Sequence, residues 1–133
     1  YSSVKKIFII FISLFLLSCV NKGIIDPNKA SEMALNMRIM TKELEIAKYK
    51  IENDDKFDNI SFDFNKIHNQ KATDSTFYTE SLKPMSESFH RTVENFNNFP
   101  NSENYNNIVT SCVQCHNYIC SGPLVKINKL YLN

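Results

Sequence analysis

The stretch NSENYNNIVTSCVQCHNYICSGP, residues 101–123, decides the fold. Asn101 or Ser102 can cap a helix start, because either side chain accepts a hydrogen bond from a backbone N–H of the first turn. Ser121-Gly122-Pro123 stops the helix, since proline has no N–H to extend it. Between these ends, Tyr105, Ile108, Val109, Cys112, Cys115, His116 and Ile119 fall on one face of a 3.6-residue repeat. The spacing predicts an amphipathic helix that turns its reactive side chains inward.

Those side chains form Cys112-Val113-Gln114-Cys115-His116, a C-x-x-C-H run, the attachment signature of c-type haem. Two thiols three residues apart on one turn can reach the two vinyl groups of one porphyrin, and the adjacent imidazole is placed as proximal iron ligand. Cys112 and Cys115 are therefore expected to carry one covalent haem c as thioethers, with His116 as the fifth ligand. Two rival readings use the same atoms. A thioredoxin-like pair needs a βαβ setting and a helix N-terminus to acidify the thiol, and neither pattern is visible. A Cys₃His zinc site from Cys112, Cys115, His116 and Cys120 would draw all its ligands from one short stretch, whereas closed sites usually pair two separated segments.

Upstream, the chain reads as helices joined by polar, Asn-rich links, and no glycine occurs between Gly23 and Gly122. Asp26-Pro27 reads as a helix start, with Asp as cap and Pro in the first helical position. Met33, Met37, Met40, Leu44, Ala47 and Ile51 then follow at spacings of four, three, four, three and four, up to the turn cluster Asn53-Asp54-Asp55. A weaker segment, about Asp58 to Lys71, sets Ile60, Phe64 and Ile67 on one face and is read as a second helix. Its local alternation Ile60, Phe62, Phe64 would also suit a strand. Thr73-Asp74-Ser75 precedes a third helix, about Thr76 to Asn97, striped by Tyr78, Leu82, Met85, Phe89, Val93 and Phe96. Pro84 should bend or split it near Leu82. The expected architecture is all-α, an antiparallel up-down-up-down four-helix bundle with the haem motif near the C-terminus. In such a bundle the C-terminal end of the last helix lies beside the N-terminal half of the first. Met33, Met37 and Met40 lie there, and a thioether is a known sixth ligand of c-type haem iron.

The N-terminus speaks for export. Lys5 and Lys6 precede an apolar run, Ile7 to Leu17, broken only by Ser13 and ending in Leu16-Leu17-Ser18-Cys19. The run is too short to span a bilayer and has the form of a secretory signal. Its last four residues resemble a bacterial lipobox. Residues 1–18 are thus expected to be a lipoprotein signal peptide, Cys19 the lipid-bearing first residue of the mature chain, 19–25 a tether and 26–133 one cytochrome domain. Cleavage would remove Lys5 and Lys6 from the 15 basic residues and leave the 14 acidic ones, a mature charge of about −1. That balance gives no basis for nucleic-acid binding, which usually shows as a clustered basic surplus. With one cysteine lipidated and two in thioethers, Cys120 has no disulfide partner, and the chain is not a disulfide scaffold.

With the motif and the helix order in place, residues 26–122 resemble the class II c-type cytochromes, the four-helix group of cytochrome c prime and its low-spin relatives. In that family C-x-x-C-H lies on the last helix, and low-spin members take a Met early in helix one as sixth ligand. The resemblance best matches Met37 to that position, with Met40 and Met33 as alternatives. The chain departs from the family pattern in two places: a basic residue commonly follows the proximal His by four, where this chain has Cys120, and the Arg-Gln pair often found in helix one is missing. Among the other side chains, His68 is an alternative sixth ligand set against a plain surface role, and His90 beside Arg91 is expected to be solvated. Cys120 is expected as a small apolar filler. Arg38 is read either as a haem propionate contact or as a solvated face residue.

These readings imply an electron-transfer protein of the cell envelope, a one-electron shuttle with His/Met-ligated iron. An open sixth position would instead make a five-coordinate haem that binds nitric oxide or carbon monoxide, as cytochrome c prime does. A tethered structural or interaction lipoprotein is the third reading. The expected partners are redox proteins and, through the lipid, a membrane. Pairing of two copies through their first helices, which many relatives show, stays open. The expected location is the periplasmic side of a bacterial membrane, inner or outer. No carboxylate pair, Ser-His-Asp set, phosphate loop or H-E-x-x-H motif is present, so no enzyme activity is expected.

Overall fold

The structure is a computed structural model that describes residues 29–54 and 56–133. The expected signal peptide, Cys19, the tether and the Asp26-Pro27 cap lie outside the described residues. Those described are all-α: helices α1 (Glu32–Asp54), α2 (Leu82–Asn98), α3 (Ser102–Tyr118) and the single turn α4 (Leu124–Ile127), with 3₁₀ turns at Ile67–Asn69, Ser75–Phe77 and Asn128–Leu130 and no strand. None of these helices is long and apolar enough to cross a membrane.

Helix α1 starts later than the sequence suggests. Ser31 is its cap: the hydroxyl accepts from the Ala34 N–H at 3.1 Å, and the carbonyl takes the Leu35 N–H at 2.9 Å. The apolar stripe is buried as its spacing predicts, through Met33, Met40, Leu44, Ala47 and Ile51, with Met37 packed at its edge.

The helix expected over Asp58–Lys71 does not form. Residues 60–66 are extended chain, entered through a turn in which Asn59 takes a left-handed φ of 61° that asparagine tolerates, and followed by the 3₁₀ turn at Ile67. The Ile60-Phe62-Phe64 alternation governs this segment: Phe62 and Phe64 are buried while residues 61, 63 and 65 face out. No strand pairs with it. Asn97 on α2 supplies the missing ladder instead, donating its amide to the Phe62 carbonyl at 2.8 Å and accepting the Phe62 N–H at 2.9 Å. Phe62 then packs on Phe96 at 5.3 Å and Phe64 on Phe89 at 6.0 Å. Two large aromatic side chains buried on α2 outweigh the weak helical preference of a Phe-, Asn- and Asp-containing stretch.

The third expected helix is split as Pro84 foretells. A 3₁₀ turn at Ser75–Phe77, capped by Asp74 accepting from the Thr76 N–H, is followed by a break, and α2 begins at Leu82. Pro84 thereby sits in the first turn, where its missing N–H would have no intrahelical partner in any case. Tyr78 leaves the stripe and clips the loop, accepting from the Ala72 N–H and donating to the Gln70 carbonyl.

A three-residue link, Phe99-Pro100-Asn101, turns the chain into α3, with Asn101 accepting the Asn104 N–H at 2.8 Å as cap. Thr92 meets Ser111, Asn95 meets Asn104 and Phe96 meets Tyr105, so α2 and α3 run antiparallel. Tyr105 also reaches α1: its hydroxyl, fully buried, donates to the Leu44 carbonyl at 2.9 Å. Residues 124–132, given no element by the sequence reading, fold back over α1 and α3. Ile127 and Leu130 are buried there, Lys48 donates to the Lys129 and Tyr131 carbonyls, and Asn106 pairs with the Leu132 backbone.

Candidate functional site

Beyond the Tyr105 bridge, the N-terminal half of α1 and the C-terminal half of α3 enclose a cavity of about 360 Å³. That volume falls in the range of small-molecule and cofactor sites, roughly 300–1,000 Å³. Met33, Met37, Met40 and Leu44 form the α1 wall, and Cys112, Cys115 and His116 of α3, with Ile119 and Cys120 just beyond its end, form the facing wall. Ile67, Phe77 and Leu82 close one side; Ile127 and Leu130 of the folded-back tail close the other. The antiparallel run of α1 and α3 thus sets the three methionines opposite the C-x-x-C-H turn.

His116 is oriented by its own chain. The helix ends two residues later, and beyond the bend at Ile119 the Cys120 carbonyl lies 2.7 Å from the imidazole Nδ1. Nδ1 is then the protonated nitrogen, and Nε2 keeps its lone pair for a metal, the arrangement that ligating histidines generally show.

The two thiols of the motif are not acidic. Burial pushes the Cys112 thiol up to about 12, and the neighbouring Cys115 adds to the shift. Burial likewise raises the Cys115 thiol, with Cys120 contributing. A thioredoxin-like pair needs the opposite shift. The three described cysteines carry no disulfide, and among the described residues no three His, Cys, Asp or Glu side chains gather as a metal-ion site, so the Cys₃His zinc geometry is not formed.

Met40 differs from Met33 and Met37 in what its sulfur does. Met40 is buried, and its sulfur takes the Asn36 amide at 3.9 Å. Asn36 is itself buried and tied to the Asn65 carbonyl at 3.3 Å, so Met40 is held within a small polar network. Met33 is buried near the start of α1. Met37 is half-buried, and among the described residues no hydrogen bond reaches its thioether or that of Met33. Arg38 stands exposed at the cavity wall without an ion pair among the described residues. Lys126 from α4 also lines the cavity, 3.4 Å from Glu45.

The structure keeps His68 apart from this group. Its Nδ1 lies 2.9 Å from the buried Ser86 hydroxyl, and the side chain is not part of the cavity wall. His90 is not solvated: it is half-buried, its ring edge meets Phe89 at 5.3 Å, and Nε2 is buried without a partner. Burial, then the charges of Lys66 and His68, hold its imidazole below the usual histidine range, against a hydrogen bond to the Asn65 backbone. Cys120 is half-buried and lines the cavity, and its carbonyl has the larger part. The sequence reading missed Asn36, Lys126, Ile127 and Leu130; the spacing of Leu124, Ile127 and Leu130 after Pro123 was the available signal for the tail. Comparison with family models, with curated proteins and with solved structures gives no match to this chain.

Proposed function

We propose that this chain is a haem c-binding electron-transfer protein of the cell envelope. The observation that carries the reading is the single cavity in which both motif cysteines, a His116 with Nε2 left free and an uncommitted Met37 thioether line facing walls. These residues fit a covalently held porphyrin: a largely apolar volume, two thiols on one helical turn, and a nitrogen and a sulfur donor on opposite helices. When bound, such a haem supplies a one-electron iron couple whose potential a thioether ligand raises. Cys112 and Cys115 would fasten it, His116 would be the proximal ligand and Met37 the distal one. Leu44, Ile67, Phe77 and Ile119 would keep water from the site, and Arg38 would meet a propionate.

The scaffold in this reading is the class II cytochrome bundle with extended residues 60–66 in place of a second helix. Cys19 would carry the lipid, and the domain would face the periplasm from a membrane surface. Its partners would be other redox proteins. The test is the intact mass and visible spectrum of protein made with c-haem maturation machinery. One haem of added mass that survives denaturation, with a low-spin spectrum and a thioether-to-iron charge-transfer band, is the expected result. An unmodified polypeptide would overturn the reading, and high-spin bands with tight nitric oxide binding would replace the shuttle by a gas-binding haem.

A further inference from the structure

The cavity has a charge pattern that the sequence motif does not predict. Its wall is apolar or uncharged apart from two cations, Arg38 on α1 and Lys126 on α4, and it contains no carboxylate. Lys126 belongs to two surfaces at once. It lines this cavity and also a cleft of about 700 Å³ between α1 and the C-terminal tail, where Glu45 holds its ammonium at 3.4 Å. Both partners of that ion pair are solvent-accessible, so the pair is worth little and is easily exchanged. An apolar ligand carrying carboxylates would offer Lys126 a second anion at the edge of a low-dielectric space, where the attraction is stronger than in open water.

We propose that Arg38 and Lys126 form a two-cation rim that recognises the carboxylates of a tetrapyrrole, with Glu45 as the internal competitor that holds Lys126 while the cavity is free. The proposal rests on the haem reading and deepens it. The exchange is purely ionic, since Lys126 gives up the Glu45 carboxylate and gains a ligand carboxylate.

The test uses the full chain with Cys112→Ala and Cys115→Ala, its helical circular dichroism checked first, and zinc protoporphyrin as a fluorescent probe beside its dimethyl ester. The diacid is expected to bind severalfold more tightly than the ester. Lys126→Met should weaken the diacid about threefold to fivefold, as for one exposed ion pair, and leave the ester unchanged. Glu45→Gln should tighten the diacid, a direction that a merely structural role for the salt bridge would not give. Equal binding of diacid and ester, or a diacid affinity unmoved by both variants, overturns the proposal. So does failure of the cysteine-free chain to bind either probe. If that chain does not fold, the haem-loaded protein gives the second measurement, in which Lys126→Met must shift the pH dependence of the redox potential, and an unshifted profile is refutation. A chain that carries covalent haem yet shows none of these effects loses only the rim, whereas a chain without covalent haem loses the haem reading.

Discussion

Tyr105→Phe removes a hydrogen bond that ties α3 to α1 at the base of the cavity. The ring is fully buried against Phe96 at 6.2 Å, and the substitution keeps it, so packing stays and only the hydroxyl leaves. The Leu44 carbonyl, which took that hydroxyl at 2.9 Å, lies inside α1 and retains its intrahelical partner. The loss is therefore a net hydrogen bond, about 1 kcal/mol, and not the larger penalty of an orphaned buried acceptor. For a domain of this size that corresponds to roughly 4–8 °C in midpoint temperature. Urea unfolding followed by far-ultraviolet circular dichroism should show a lower midpoint with an unchanged slope.

The pH dependence adds a second, independent reading. Burial, then the charges of Cys112 and Glu52, raise the Tyr105 phenol well above its ordinary value. A raised folded value means that the phenol's contribution is complete below the unfolded value of about 10 and fades as pH climbs beyond it. The gap between the two proteins should consequently narrow above about pH 10. A variant as stable as the parent at neutral pH, or a gap that widens in alkali, would refute the account of this bridge.

Three further perturbations address the site and its supports. In haem-loaded protein, Met37→Ala should abolish the thioether charge-transfer band while Met40→Ala, whose sulfur already takes the Asn36 amide, keeps it; the reverse pattern would transfer the ligand role. Asn97→Ala removes both hydrogen bonds to the Phe62 backbone and should cost about 1–2 kcal/mol with faster amide exchange at Phe62, and unchanged exchange would count against the ladder reading. His90, held below the usual histidine range, binds its proton less readily folded than unfolded. Stability should therefore be complete above about pH 6.5 and decline as pH falls below it. His90→Gln should flatten that decline in urea midpoints between pH 7.5 and 5, and an equal drop in both proteins would remove His90 as its source.

The boundary between what the sequence showed and what it hid follows the reach of the interactions. The stripes of α1 and α3, the Asn101 cap and the break before Leu82 depend on neighbours within four residues, so spacing alone exposes them. The facing of Met33, Met37 and Met40 toward the C-x-x-C-H turn needed only antiparallel helices. The extended course of residues 60–66 was settled by Phe62 and Phe64 burying themselves on Phe89 and Phe96, more than twenty residues along the chain. An asparagine at position 97 that replaces a missing strand has no local signature.

By itself the sequence determined an all-α chain and the one helical turn that carries two thiols and an imidazole, because helix periodicity and motif spacing are written residue by residue. Only the tertiary structure decided which groups join that turn: the Cys120 carbonyl that orients His116, the Asn36 amide that separates Met40 from Met37, and the Lys126 ammonium brought in by the tail. Each of these depends on distances in space that follow from where apolar side chains are buried together, and no short window of sequence contains that information.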